Sequence, residues 1–454
     1  MQNQSFLAMP KRFRSWSPDQ QSLFPTSPRD WLNEDHLVYF LLDVVGQMDL
    51  SPFLERYKNS PCGQPPYHPR MMLTLLLYAY CTGVFSSRKI YKRCQEDVAF
   101  RVIVGEDIPD FRTISDFRKD NLEHMQALFV DVLSVCAETG LLKLGRIALD
   151  GSKIKANASR HKAMSYGRMQ EKEEQLQNEI EELLARAQAR DDEEDQQFGN
   201  HRGDELPDEL ARRESRLKKI KEARAALEEQ AKQKAQEHVD RMEAEGRQPR
   251  TDPDKAVPQE SDQRNFTDPD SKIMKMSNKG FDQCGNAQII VEENQIILSA
   301  DVTNQANDVK QVEPVLKQME SNLAAADVEE KPQEFLADAG YYSDSNVEFV
   351  QAHDLAPFIA TGKFKHGESV PESPQGRIPK HLSAKERMGR KLRTKKGRAT
   401  YSRRKVQVEP VFGQIKACQG FRQFLLRGLE KMQGEWTLVS LTHNLLKLFR
   451  FQTA

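Results

Sequence analysis

Three acidic residues lie far apart in this chain, each beside a run that a strand or helix could hold rigidly. Asp150 follows Arg-Ile-Ala-Leu, Asp338 follows Glu-Phe-Leu-Ala, and Glu409 stands in Arg-Arg-Lys-Val-Gln-Val-Glu-Pro-Val-Phe-Gly-Gln-Ile-Lys. Brought together by a fold, they offer hard oxygen donors of the kind that bind Mg²⁺, which polarises a phosphodiester and activates water or a hydroxyl for attack. A phosphodiester resists cleavage because its charge repels nucleophiles and its alkoxide leaves poorly. Two divalent ions held by shared carboxylates address both problems. Taken singly, each residue has an ordinary explanation. Asp150-Gly151 is a common turn pair, and Glu409 and Lys416 could be surface charges of a helix. Only convergence in the fold lifts them above that.

The elements that must position these acids can be read from composition and period. At 454 residues the chain exceeds the size at which one core stops growing, so two or three domains are expected. The 67 basic and 68 acidic residues are segregated rather than mixed. Acids concentrate between Glu171 and Glu260, whereas Arg377 to Lys405 holds thirteen Lys or Arg and one acid, Glu386. That segment, ending just before Glu409, is a candidate phosphate-backbone surface. The six cysteines have neither CxxC pairing nor zinc spacing and read as reduced thiols. No signal-peptide pattern and no apolar run of about 18 residues occurs, so a soluble, cytoplasmic protein without a membrane partner is expected.

Residues 1–30 are polar, with Lys11, Arg12 and Arg14 beside Phe13 and Trp16, and read as an extended arm. From 31 to 143 apolar residues recur at helical spacing, as in Met71, Leu75, Leu76, Tyr78 and Ala79, giving an N-terminal all-α domain. Pro69 suits a first helical turn, and Thr113 with Asp116 resembles a cap. A helix opening near Ser86 would expose Arg88, Lys89, Lys92 and Arg93, and the helix after Pro109 carries Arg112, Arg118 and Lys119. This pair fits either a helix-turn-helix that contacts DNA or an ordinary bundle with a basic surface.

Residues 163–263 differ sharply. Two aromatic-poor runs, one with Leu176, Ile180, Leu183 and Leu184 on a face and one with Leu210, Leu217, Ile220, Ala223, Leu227 and Ala231, predict an inserted helical coiled-coil hairpin and linker. Around the insertion, residues 144–162 and 264–454 give strand, strand, strand, helix, strand, helix, strand, helix. That is the order of an α/β catalytic core of ribonuclease-H-like fold, a mixed sheet with flanking helices. Asp150 would end its first strand, Asp338 would lie just past its fourth, and Glu409 would ride the helix that follows the basic segment. Asp268, Asp270, Asp301, Asp308 and Asp344 read as turn or capping residues. His161, His353 and His443 lack nucleophile or zinc-ligand spacing, and Trp436 reads as an anchor for the last helix.

With these residues assembled, the chain resembles the DDE transposases of bacterial insertion sequences, in the branch with a Tyr-Arg-Glu-Lys signature. Tyr67-His68-Pro69, Ser86-Ser87-Arg88 and the block from Phe111 to Arg118 are similar to that family's N-terminal part. Leu149-Asp150-Gly151-Ser152 resembles its first acidic block, and Ala337-Asp338-Ala339-Gly340-Tyr341 its second. Glu409 and Lys416 keep the signature's spacing, but Tyr401 and Arg404 are each displaced by one position. Either Lys405 substitutes for the arginine or a one-residue insertion shifts the pair.

The resemblance implies that Asp150, Asp338 and Glu409 are the catalytic, metal-binding triad for Mg²⁺, with Mn²⁺ as a substitute. It further implies that Arg404, or Lys405 in its place, and Lys416 hold phosphates of the transposon end and that Tyr401 packs on or hydrogen-bonds to the backbone; Arg88, Lys92, Arg112 and Arg118 are DNA-contact candidates by the helix-turn-helix reading of the N-terminal helices. The expected partners are terminal inverted repeats and target DNA. A homodimer or larger assembly would hold both ends, in the cytoplasm of a bacterium at its nucleoid. Two other readings share these residues: a catalytically silent, transposase-derived DNA-binding protein, and a metal-dependent nuclease without strand transfer.

Overall fold

In a computed structural model the chain is described at residues 28–55, 65–198, 208–244, 246–249, 252–276, 280–362, 373–376, 379 and 381–453. Most of the expected arm, Arg377 and Lys380 of the basic segment, the break between the two long helices and the Leu210 side chain lie outside the described residues. The strands are β1 (Arg146–Lys155), β2 (Ala163–Ser165), β3 (Gln263–Asn265), β4 (Lys272–Lys275), β5 (Phe281–Val291), β6 (Ile297–Thr303), β7 (Glu334–Ala337) and β8 (Ala356–Ile359). The main sheet runs β6-β5-β1-β7-β8, with β5 antiparallel to β1 and β6, and β7 parallel to both β1 and β8. β4 joins the open end of β5, and β2 and β3 form a separate pair. This mixed sheet with flanking helices matches the expected core. Phe335, Leu336 and Ala337 of β7 are all fully buried, as a parallel strand covered on both faces requires.

One expectation fails at the first acid. Asp150-Gly151 is no turn and Asp150 does not end its strand. β1 runs through both residues, with Asp150 opposite Ile289 and Gly151 opposite Gln288. The buried Gln288 amide lies where a Cβ on residue 151 would stand, so glycine serves a close cross-strand approach here rather than a reversal.

The helices before the sheet are α1 (Leu37–Gln47), α2 (Ser51–Glu55), α3 (Pro69–Cys81), α4 (Ser87–Glu96), α5 (Val98–Val104), α6 (Phe111–Asp120) and α7 (Met125–Glu138). Pro69 opens α3 as expected. The cap of α6 is Asp110 rather than Thr113, its carboxylate accepting the Arg112 and Thr113 amides at 2.7 and 3.3 Å.

α8 (Tyr166–Phe198) and α9 (Asp208–Ala244) fold back on one another. Arg213 pairs with Glu179, Arg224 with Glu173, and the Tyr166 hydroxyl donates to Glu228, an antiparallel register. Tyr166, Met169, Leu176, Ile220, Ala223 and Leu227 form a small core between them, separate from the main one.

The remaining helices are α10 (Val312–Ala325), α11 (Asp344–Ala352), α12 (Ala384–Arg393), α13 (Lys395–Gln407), α14 (Glu409–Gly413) and α15 (Leu429–Gln452). α15, expected from sequence as a last amphipathic helix from Glu435 to Phe449, is central: it packs on β6 and on α3 and α7. Two of its amides complete the outer edge of β6. Asn444 accepts from the Ile297 amide and donates to its carbonyl, while Gln433 accepts from Val302 and donates to Ala300. The N-terminal helices, α15 and the sheet therefore share one continuous hydrophobic core.

Candidate active site

The sheet register brings the first two acids together. The parallel pairing of β1 and β7 ends at Leu149 opposite Ala337, and Asp150 and Asp338 are the next residues on the two strands. Asp338 then turns the chain, its Oδ1 accepting the Gly340 amide at 2.7 Å to cap a single 3₁₀ turn, Ala339–Tyr341. Asp150 stays in the strand, and burial pushes its carboxyl up to about 6; Asp338 adds to the rise while Arg404 opposes it.

The basic segment that precedes Glu409 folds as two helices, α12 and α13, packed against β7 and β8. The α12–α13 corner is tight: Thr394 caps the Gly397 amide at 2.9 Å, and a Cβ on Gly397 would collide with the Lys391 carbonyl. Lys391 itself turns inward, donating to the Pro357 carbonyl at 2.8 Å above the Phe358 ring.

Arg404 also points inward. Its Nη1 lies 3.0 Å from Asp150 Oδ2 and its Nη2 3.6 Å from Glu409 Oε1, with the guanidinium largely buried and Glu409 half-exposed. Half-buried Tyr401 adjoins Arg404, its phenol pushed up by burial. Lys405 is exposed. α13 stops and α14 starts at Val408, and Arg404 rather than Lys405 stands beside Asp150 and Glu409.

Lys416 reaches the same strand by a different route. The expected continuous helix gives way after α14 to one π-turn, Gln414–Cys418, and the Lys416 ammonium contacts the Ser152 hydroxyl, two residues beyond Asp150. Burial lowers its pKa, and Asp150 opposes that. The wall of the site thus carries Asp150, Ser152, Arg404, Glu409 and Lys416.

A second layer, which the sequence pattern did not reveal, lies on the other face of β1. Gln288 accepts from the Tyr341 hydroxyl and donates to Asp308 at 3.1 Å. Asp308 also takes Asn286 at 2.6 Å and the Lys153 ammonium at 2.9 Å. Gln288, Asn286 and Tyr341 are all buried. Because Gln288 fills the space above Gly151 and Tyr341 closes the Asp338 turn, this network ties the two acid-bearing segments together. Asp308, read from sequence as a turn residue, is its centre.

Of the N-terminal cations, Arg88, Lys92 and Arg112 are exposed, with Arg88 and Arg112 flanking the Phe111 ring. Arg118 is not a surface residue. It is 5% exposed, donates to the Tyr80 hydroxyl at 3.1 Å and the Phe85 carbonyl at 2.8 Å, and through Tyr80 reaches buried Glu435 of α15. Its charge is spent on pinning α6 to the core, because a buried guanidinium and carboxylate need each other. Trp436 is an anchor, fully buried and donating to the Gln288 carbonyl, and His443 is a buried partner of the Gln295 carbonyl.

The donor chemistry of Asp150, Asp338 and Glu409 suits a hard divalent cation, and the raised Asp150 carboxyl marks a place that calls for positive charge. In this arrangement Arg404 supplies that charge. Among the described residues no three His, Cys, Asp or Glu side chains stand close enough to hold an ion. The donor types suit such an ion, while the positions of the three carboxylates, with Arg404 between Asp150 and Glu409, do not form a site for one. No described helix is long and apolar enough to cross a membrane.

Two family models match the chain. Residues 26–120 match one described as a transposase domain (DUF772), and residues 373–449 match one described as a transposase DDE domain. The first spans Arg88, Lys92, Arg112 and Arg118; the second spans Tyr401, Arg404, Glu409 and Lys416; Asp150 and Asp338 lie in neither. No curated protein and no solved structure matches the chain. The two domains indicate a transposase.

Proposed function

We propose that this chain, a transposase by its domains, binds the terminal inverted repeats of an insertion sequence, hydrolyses a strand at each end and joins the freed 3′-hydroxyl to target DNA. The observation that carries the reading is the adjacency of Asp150 and Asp338 at the end of the β1/β7 ladder, with Arg404 of α13 between Asp150 and Glu409 of α14. Asp150, Asp338 and Glu409 would hold Mg²⁺ or Mn²⁺, which would polarise the phosphodiester and lower the pKa of the attacking water or hydroxyl.

The protein's own groups do the rest. Arg404 offers its guanidinium to a phosphate of the transposon end, a bidentate partner for which it gives up the carboxylates. Lys416, held on Ser152, neutralises a phosphate on the same strand, and Tyr401 packs against the backbone. The exposed cations of α12 and α13, Lys405 among them, track the flanking phosphates. Arg88, Lys92 and Arg112 bind the repeat, and Arg118 is withdrawn from that set.

Residues 31–143 then serve as the DNA-binding part, 144–162 with 264–454 as the catalytic part, and the α8–α9 hairpin as an insertion. Two ends must be held at once, so the working unit is at least a dimer, acting at the nucleoid. The branch assignment rests on Tyr401, Arg404, Glu409 and Lys416 with one residue inserted before the glutamate.

The test is cleavage and strand transfer on labelled duplexes carrying the element's own ends, with Mg²⁺, comparing the parent with Asp338→Asn. Cutting and joining in the parent, lost in the variant while end binding persists, supports the reading. Binding without cutting in both points to a silent DNA-binding protein. Cutting without joining of a pre-cut end points to a nuclease.

A further inference from the structure

We infer that the groove between the helical insertion and the sheet edge is a second DNA site, one that holds the phosphate backbone of a strand leading away from the acids. This inference rests on the transposase reading and extends it to a surface that neither domain match includes. The groove has a volume of about 980 Å³. One wall is α9, through Leu227, Ala231 and Lys234; the other is β4, through Lys272 and Ile273, with the loop from Asn304 to Lys310 as its lip. Its volume is at the upper end of those that take a small ligand, room for a few nucleotides of one strand and not for a duplex about 20 Å across.

Its electrostatics lean positive, three lysines against the two lining acids Glu237 and Asp262. Lys234, Lys272 and Lys310 line it, and Arg264, next to the lining residue Gln263, is close enough to Lys272 to oppose its charge. None of these four cations forms an ion pair among the described residues, and one buried nitrogen of Arg264, Nη1, has no hydrogen-bond partner. The Lys272 ammonium is held below its ordinary pKa by burial first, then by Lys234 and Arg264, against smaller opposing effects of Asp262 and Asp270. Glu237 is the other acid on the lining. Cations gathered without ion-pair partners, Lys272 and Arg264 half-buried and Lys234 and Lys310 exposed, gain from a polyanion that neutralises several at once.

The groove's lip also comes close to the turn that carries Asp338. Its lip carries Asp308, which holds Lys153 on the strand of Asp150. A Cβ on Gly340 would lie 3.6 Å from Asp308 and 3.0 Å from Asp338, so the lip borders the Asp338 turn. A strand whose phosphate sits at the acids can continue along this lip into the groove, with the insertion closing over it.

The test uses the full-length protein and salt titrations of DNA binding by fluorescence anisotropy, on an end duplex and on the same end with a single-stranded extension. Each phosphate contact removed lowers the slope of log K against log salt by about 0.9 on a duplex and about 0.7 on a single strand. Lys234→Gln, an exposed change on α9, is expected to lower the slope on the extended DNA by about one contact. Lys234→Gln combined with Lys272→Gln should lower it by about two, and Lys272→Arg should restore the parent slope. Slopes equal to the parent's in both Gln variants would overturn the inference. So would equal losses on DNA truncated to the Asp338-proximal phosphates. If the parent itself binds neither DNA, the transposase reading fails first, and that outcome is distinct from a parent that binds and cuts while the groove variants behave as it does.

Discussion

Arg404 occupies the place where charge is most needed. Its guanidinium lies 3.0 Å from Asp150 and 3.6 Å from Glu409, so the two carboxylates are satisfied before any ion or DNA arrives. A cation of fixed charge in that position competes with a divalent ion for the same oxygens. Arg404→Gln is therefore expected to raise the affinity of the DNA-free protein for Mn²⁺ by roughly tenfold, about 1.4 kcal/mol. Titration of Mn²⁺ followed by electron paramagnetic resonance measures this directly, and end binding by the same variant should weaken. Unchanged Mn²⁺ affinity would mean that the guanidinium does not guard the acids. At this scale the sequence was partly legible. The three acids and Lys416 were singled out from their contexts, while spacing alone left Arg404 and Lys405 as alternatives, because which of them faces Asp150 depends on how α13 packs, a tertiary feature. Arg118 misled for the opposite reason. A basic helix face looks the same in sequence whether it meets solvent or a buried glutamate 317 positions later, and only packing shows Glu435 beneath it.

The basic segment functions as a pair of elements. α12 and α13 meet at a corner so close that the Lys391 carbonyl occupies the space of a side chain on residue 397, and Thr394 caps the turn. Arg404 and Tyr401 ride α13 two to three turns beyond, so the corner's angle sets how far they reach toward β1. Gly397→Ala should force the corner apart, because the obstacle is backbone and not the end of a flexible chain. A cost of about 1–3 kcal/mol is expected, read as a lower denaturation midpoint. Weaker end binding should accompany it even though no DNA-facing side chain is altered. A variant with parent-like midpoint and binding would show that the corner is slack. Elements whose period matches their surroundings were readable in advance, including the β5–β6 hairpin, α10, α11 and the two long insertion helices. β1 was not, since Asp-Gly has the composition of a turn and its continuity depends on Gln288 from the neighbouring strand. The amphipathic pattern of α15 did not show how deeply it lies, since its polar Thr437, Ser440, Thr442, His443 and Asn444 are all buried.

At the scale of the whole molecule, α15 joins the N-terminal helices to the sheet, and two ionisable groups in that junction should give its stability an identifiable pH dependence. His443 is fully buried, its pKa pushed down to about 4 by burial, with Lys447 and Arg450 adding to the effect. Glu292, buried at the β5–β6 turn, is pushed up to about 7 by burial, against the backbone amides of Asn294, Ile296 and Lys143 that it accepts. Their signs are opposite. Between about 4 and 6.5 unfolded His443 binds a proton that the folded protein refuses, so its contribution is complete above about 6.5 and is lost as pH falls through 4. Folded Glu292 keeps a proton that the unfolded chain releases near 4.5, so its contribution is complete below that and is lost as pH rises through 7. Over the shared window the two offset each other, and the parent shows only the difference. His443→Gln keeps a donor for the Gln295 carbonyl without a titrating charge, and is expected to be relatively more stable toward acid. Glu292→Gln should show the reverse, losing the decline toward neutral pH. Each difference from the parent is at most about 3 kcal/mol across its window. Urea unfolding at half-unit steps from pH 4 to 7.5 measures both. Because the N-terminal helices and the sheet share one core, both variants should shift one common transition that includes the N-terminal helices. If either variant moved only part of that transition, the helices of residues 37–138 and the sheet would be folding as separate units despite the contacts between them.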